Sequence, residues 1–376
     1  MKEGWKYVKL GDILDVKHGK DHKEVLSPNG QYPIYGSGGS IMGYATDFLC
    51  EKGTTILGRK GTIDKPLYIE SRFWNIDTAF GLVPKNGNNS KLIYYICKTI
   101  DWKNLDSGAA KPSLTQAIIK KQCANIPPLS EQQRIVEQLD SAFAKIDALK
   151  ANAEKLVEET KALFAASLRE IMTPQEGWEE KKLEDIITSN VVGLTRSKAQ
   201  QGYNMSFPYF KMNNISHDNT LCWDDLIYVE ASQEDIEKYS LEAGDFLFNT
   251  RNSKEWVGKS TVYREKIAPV MLYNNNIMRI RFSQNYSPLF ICYSFLADYT
   301  KQQIEKIKSG TTNVWGIYYR ELKNVTVKFP PLSEQTRIVS TLDTLSAQVR
   351  QLEANFKKVS EECDALKQAI LRETFE

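Results

Sequence analysis

Between Ile338 and Ile370 the apolar side chains fall at Leu342, Leu345, Val349, Leu352, Phe356, Val359, Cys363 and Leu366, in alternating steps of four and three. Kept up for more than four heptads, this spacing predicts one long helix with a coiled-coil seam. The same phase runs earlier in the chain through Ile135, Leu139, Ala142, Ile146, Leu149, Ala153, Leu156, Thr160, Leu163 and Ser167, with smaller side chains that suit a closely approached partner helix. Neither run contains Pro or Gly, so each predicts a rod of roughly 40 residues and about 60 Å. Two such rods pack most simply against each other, antiparallel, with a lobe at each end. In the alternative, each helix seals only its own lobe.

The pattern outside the rods is written twice. Gly4-Trp5-Lys6-Tyr7-Val8-Lys9-Leu10-Gly11-Asp12-Ile13 returns as Gly177-Trp178-Glu179-Glu180-Lys181-Lys182-Leu183-Glu184-Asp185-Ile186, 173 residues later, and Pro127-Pro128-Leu129-Ser130-Glu131-Gln132 returns 203 residues later at Pro330 to Gln335. Each half is therefore a lobe followed by a helix, and the second lobe is longer by 30 residues. The proline pairs oppose helix before themselves. Ser130 and Ser333 are the expected N-caps, with Glu131 and Glu334 in the first turn.

With 376 residues, of which 41% are hydrophobic and 26% charged, the chain has apolar material for a core in each lobe. No stretch approaches 18 consecutive apolar residues and the first residues lack an apolar signal core, which predicts a cytoplasmic protein with no membrane partner. Six cysteines without a C-x-x-C pair predict reduced, mostly buried thiols. His18 and His22 sit in a loop without a full ligand set, so no metal is expected. The net charge of +2 divides unevenly: Ser130–Met172 and Ser333–Glu376 each carry six Lys/Arg against eight Asp/Glu, leaving +6 on the lobes together with all 7 Trp and all 18 Tyr. A basic surplus beside aromatic rings suits nucleic acid, although most rings must serve as core.

Loop chemistry narrows the candidates. In the first lobe, a strand at Tyr32–Tyr35 leads into Gly36-Ser37-Gly38-Gly39-Ser40, and a strand at Thr54–Leu57 ends in Gly58-Arg59-Lys60-Gly61-Thr62. Glycines let backbone approach a phosphate while Arg59 reaches a guanine edge; a plain turn with solvated charges is the alternative. The second lobe offers Gly244 to Ser253 at the corresponding place and an amide run at Asn274 to Asn276 that suits adenine edges or an ordinary loop. Ser107–Ser113 matches Ser309–Trp315, as phosphate or base contacts or as turn formers. The candidate DNA contacts are Tyr35, Ser37, Arg59, Lys60, Lys111 and Ser113 in the first lobe, and Arg251, Asn252, Ser253, Asn276, Thr311 and Asn313 in the second. Val257-Gly258-Lys259-Ser260 is no P-loop, because Ser253 stands where its first glycine belongs. No dinucleotide fingerprint, amino-methyltransferase N-P-P-[YF] loop or nuclease cluster is present.

The order of lobe, PPLSEQQRIVEQLD helix (Pro127 to Asp140), lobe and PPLSEQTRIVSTLD helix (Pro330 to Asp343) resembles the specificity subunit of type I restriction-modification systems over nearly the whole chain. SGAAKPSLTQ at Ser107 to Gln116 and the two Gly-Trp openings carry the same likeness. The resemblance implies an α+β fold of two mixed α/β target-recognition lobes joined by two long antiparallel coiled-coil helices in a pseudo-twofold repeat. Its domains would be a first recognition domain over 1–129, a first helix over 130–172, a second recognition domain over 173–332 and a second helix over 333–376. It further implies a non-catalytic reader of double-stranded DNA, each lobe taking one half of a bipartite asymmetric site. The helices would set the spacer and dock two modification (methyltransferase) subunits, with restriction (translocase/nuclease) subunits joining the complex. No cofactor is implied for this chain: S-adenosylmethionine, ATP and Mg would belong to the partners. The second lobe lacks the Lys-Pro-Ser that follows Ser107-Gly108 in the first, so contacts there do not carry over. Two rivals stand against this reading: a self-contained DNA methyltransferase, which would need the missing loop and cofactor pocket, and a coiled-coil scaffold, which would need no basic surplus on its lobes.

Overall fold

The structure, a computed structural model, describes residues 2–105, 112–216, 218–311 and 314–376. The chain forms two compact units, Met1–Leu156 with Ala354–Glu376 and Val157–Glu353, so each long helix is shared between them. In the first unit a four-stranded antiparallel sheet runs in the order Leu14–His18, Ala79–Pro84, Thr54–Gly58, Leu67–Ile69. A three-stranded sheet lies in the order Ile41–Ala45, Tyr32–Tyr35, Trp74–Asn75, and Lys6–Lys9 pairs with Cys123–Ile126. The second unit repeats all three: Ile187–Val192, Ile277–Phe282, Asp245–Asn249, Ser260–Tyr263; then Ile227–Val229, Phe207–Phe210, Leu272–Tyr273; then Glu179–Lys182 with Thr326–Phe329. The expected strands at Tyr32–Tyr35 and Thr54–Leu57 are present, the latter extending to Gly58.

Each core is made by a lobe and by both helices. Leu57, Phe80, Leu82, Ile93 and Ile96 of the first lobe pack on Ile135, Leu139 and Phe143 of the first long helix and on Cys363, Leu371 and Phe375 of the second. In the second unit Phe246, Phe248, Met278 and Phe290 pack on Ile338, Val339 and Leu342, with Leu168 and Met172 completing the cluster. Lys367 pairs with Asp147 and Lys150 with Asp364 at 3.2 Å in the first unit, so residue numbers rise on one helix as they fall on the other: the helices are antiparallel. Lys161 meets Glu353 at 3.0 Å in the second unit.

Two expectations about the helices are corrected. The rods span Leu129–Ile171 and Leu332–Phe375, so Ser130 and Ser333 lie inside the first turn and are not caps. The prolines start the helices instead: Glu131 N donates to Pro128 O and Glu334 N to Pro331 O, both at 2.9 Å. The seam also leaves its predicted course. Leu149, Leu156 and Leu163 are 57, 51 and 65% exposed, while Val157, Leu168 and the half-buried Phe164 turn inward. The N-terminal half of that helix must serve the first lobe and its C-terminal half the second, and these two demands outweigh a single heptad stripe.

The repeated PPLSEQ segment is a joint. Gln132 and Gln335 are buried, and each accepts the amide of the residue capping a lobe helix, Asn89 N at 2.7 Å and Ser287 N at 2.9 Å. Their Nε2 atoms donate to Pro127 O at 3.2 Å and Pro330 O at 2.9 Å. About two helical turns further, Tyr95 donates to Asp140 and Tyr293 to Asp343, with Lys91 and Arg264 as the respective cations. Burial works to raise the Asp343 pKa, but the Arg264 and Tyr293 bonds outweigh it and leave the carboxylate below its ordinary value.

All six cysteines are free; Cys50, Cys97, Cys292 and Cys363 are buried, and burial pushes Cys97 and Cys292 up to about 12. Among the described residues no helix is long and apolar enough to cross a membrane, and no group of three His, Cys, Asp or Glu side chains could hold a metal.

Candidate nucleic-acid interface

The buried strand Thr54–Gly58 delivers Arg59 and Lys60 to the lobe surface in a turn that only glycine fits. A Cβ on Gly58 would stand 1.7 Å from Thr62 O, and Gly61 has φ +84°. The turn is tied down on two sides: Arg59 N donates to Thr78 O at 2.8 Å, Leu114 N to Arg59 O at 2.9 Å and Gly61 N to Pro112 O at 3.0 Å. Lys60 forms an isolated bridge with Ser113. Arg59 is half-buried, with Nη1 donating to Asp77 O at 3.1 Å, whereas Lys60 is exposed. Ser37 Oγ lies 3.8 Å from the place a Cβ on Gly61 would take, and Gly38 faces Thr62 Oγ1 in the same way at 3.5 Å. Tyr35, edge-on to Phe73 at 5.7 Å, ends the strand that leads into the neighbouring loop Gly36 to Ser40. Ser37, Arg59, Lys60 and Ser113 thus meet at one turn, although they come from three separate stretches of sequence, while the Tyr35 side chain packs on Phe73; Lys111 lies outside the described residues.

In the second lobe the corresponding tip is built differently. Arg251–Asn252 forms a strand against Val314–Gly316, which in turn pairs with Ser309–Thr311. Arg251 and Thr311 are exposed, Asn252, Ser253 and Asn276 half-buried, and Asn313 lies outside the described residues. The amide run is largely occupied with backbone: Asn276 O accepts Thr250 N at 2.8 Å and Asn249 Nδ2 at 3.0 Å, and Asn274 Oδ1 accepts Asn276 N at 3.1 Å. Asn252 Nδ2 donates to Asn249 Oδ1 at 3.0 Å, while its Oδ1 accepts Ser253 N at 2.9 Å. Ladder register also corrects the match between the two lobes. Leu114 N reaches Arg59 O as Ile317 N reaches Thr250 O, so Ser113 stands opposite Gly316 in the alignment, one position away from Trp315. The buried Leu114 and Ile317 hold this register.

Lys259, from the rejected P-loop, is a staple. Its Nζ donates to Met212 O at 3.0 Å and to Ile215 O, it lies 4.3 Å from the Trp256 ring centroid, and burial drags its pKa down to about 8. Two residues were missed by the sequence reading: Lys254 sits 4.9 Å from the Trp315 ring centroid beside the Arg251 strand, an exposed cation with an aromatic platform. Their separation of some 60 residues hid the pairing. His18 packs on Phe80 at 5.0 Å, and His22 faces Asp21.

Known proteins bear on this arrangement directly. Residues 2–159 and 175–359 each match the family model for the type I restriction modification DNA specificity domain. The chain is 26% identical over 263 residues to the EcoKI specificity subunit of Escherichia coli strain K12, covering 66% of this chain and 56% of that protein. It is 32% identical over 169 residues to the putative MjaX specificity subunit of Methanocaldococcus jannaschii, covering 44% of this chain and 39% of that one. The match therefore spans about half the length of these curated relatives. A putative specificity subunit of Haemophilus influenzae is 24% identical over 339 residues, 86% of this chain and 82% of its own. Two solved structures share the fold. One, from work on complex assembly and conformational transition of the type I R-M system, has a TM-score of 0.74 at 19% identity and covers 99% of this chain and 97% of its own. The other, the HsdS subunit from Thermoanaerobacter tengcongensis, has 0.55 at 18%, covering 99% and 96%.

Proposed function

The chain belongs to the type I restriction modification DNA specificity family, and from that premise we propose that it is the non-catalytic, sequence-reading subunit of a type I restriction-modification complex. Each lobe reads one half of a bipartite asymmetric site in duplex DNA. The helices set the spacing between half-sites and dock two modification subunits, with restriction subunits joining the assembly. In this reading residues 1–129 and 173–332 are the recognition domains, and S-adenosylmethionine, ATP and Mg are bound by the partners.

One observation carries the proposal. Two lobes with the same strands and the same glutamine joint present different polar tips: Arg59, Lys60 and Ser113 in one, Arg251, Asn252 and Thr311 in the other. A repeated scaffold with unlike tips suits a split site whose halves differ, as unlike side chains prefer unlike base edges. The exposed leucines 149, 156 and 163, at heptad spacing on the first helix, supply apolar knobs that a partner's helix would cover.

Coexpression with the neighbouring modification subunit, followed by single-molecule mapping of adenine methylation, tests this. A split motif methylated only when both proteins are present is expected; methylation indifferent to this chain, with the complex formed, sinks the proposal. Within that motif, Arg59→Ala is expected to relax one base position at a cost of about 1–3 kcal/mol; equal weakening on every sequence would make Arg59 a phosphate contact. Removing seven residues from each helix shortens it by about 10 Å and is expected to change the permitted spacer by about three base pairs, leaving the half-sites alone.

A further inference from the structure

We infer that Ile41 and Met42 form an apolar surface that reads thymine methyl groups in the half-site of the first lobe, an inference that rests on the DNA-recognition reading above. The two side chains are 52 and 50% exposed, on a strand at the edge of its sheet. Strand register explains why two neighbours are both displayed. Ile34 stands opposite Gly43 and Tyr35 opposite Ile41, so Met42 is an extra residue in the ladder, a bulge in which Ile41 and Met42 together face Tyr35. Bulges bend a strand and re-aim its side chains, and they cost ladder hydrogen bonds, so an exposed one carrying apolar residues calls for an explanation.

The fold itself supplies none. The second lobe has the same three-stranded sheet, but its matching strand, Ile227–Val229, is half-buried to buried. The longer segment before that strand turns Met212, Leu221, Trp223 and Leu226 against its own core. In the first lobe the five residues Gly36 to Ser40 replace that segment, and the apolar pair directly after them is left uncovered.

Position names the occupant. Met42 Sδ lies 3.4 Å from where a Cβ on Gly36 would stand, Gly38 approaches Thr62 and Gly61 approaches Ser37, so the pair is continuous with the Arg59–Lys60 tip. A surface with cations and hydroxyls on one side and aliphatic carbon on the other matches the floor of the major groove. The phosphates on the groove walls and the base edges on its floor are polar, and the C5 methyl of thymine is the apolar group on offer. Leu26 and Tyr44, also exposed, extend the apolar side away from the tip.

The test uses the complex of this chain with its modification subunits. Once the methylated motif is known, duplexes carrying deoxyuridine in place of one thymine at a time are compared for binding. One or two positions are expected to lose about 3- to 10-fold in affinity, all within the half-site that Arg59→Ala relaxes. The double variant Ile41→Ser, Met42→Ser is expected to assemble and melt as the parent does and to bind thymine and uracil duplexes alike. A half-site without thymine on either strand, indifference of the parent to uracil, or sensitivity that survives in the double variant overturns the inference. So does a double variant that folds but no longer assembles, since the patch is then a protein contact. Absence of any methylated split motif overturns the DNA reading itself, whereas a motif whose thymines are all replaceable overturns this inference alone.

Discussion

The two units use the same device to join lobe to helix and different devices to face outward. At the joint, Gln132 and Gln335 bond the capping residue of a lobe helix and the carbonyl of the first proline, and Asp140 and Asp343 take a tyrosine and a cation about two turns on. At the tips, a tight glycine turn in one unit becomes a three-stranded ribbon in the other, and a five-residue turn becomes a long segment stapled by Lys259. Sequence identity between the halves therefore marks where buried polar groups must be satisfied, and divergence marks the surface free to meet a ligand. The PPLSEQ segment pins each lobe to its long helix.

Breaking the joint core is expected to have the largest effect. Leu139→Ala and Leu342→Ala each remove a buried side chain shared by lobe and helix and are expected to cost about 2–5 kcal/mol, measured by denaturant unfolding. A cost confined to one unit would show that the joints are not equivalent. Gln132→Ala and Gln335→Ala come next, at about 1–3 kcal/mol each, because each strands a buried amide and carbonyl; costs near zero would mean that water replaces the glutamine.

A smaller effect separates the units by pH. The unfolded chain holds the Lys259 proton up to about the ordinary lysine value of 10.5, whereas the folded chain releases it near 8. The unfolded state thus binds more protons in between, and stability contributed by this group rises from pH 8 to 10.5. Lys259→Gln is expected to flatten that rise; an unchanged slope would show that the ammonium is not buried as described. The smallest effect sharpens the comparison at the helix starts. Ser130→Ala and Ser333→Ala are expected to change stability by less than about 0.5 kcal/mol, since neither serine caps its helix, whereas a loss near 1 kcal/mol would restore the capping role.

The length of the two rods, the repeat, and the strands at Tyr32–Tyr35 and Thr54–Leu57 were legible in the chain, because helical period, β-branched runs and turn glycines act over a few residues. The same local chemistry pointed to Arg59, Lys60 and Ser37 without saying that they meet. Three things were decided only in the folded molecule. Leu149, Leu156 and Leu163 face outward because the first helix answers to a different lobe at each end. Ser113 aligns with Gly316 because the buried Leu114 and Ile317 hold the ladder in register. Lys254 lies on Trp315, and Met42 bulges from its strand, because pairing between distant segments set their positions. Local propensity is written into neighbouring residues; register, facing and bulge placement come from packing between residues far apart in sequence, and no window along the chain contains both partners.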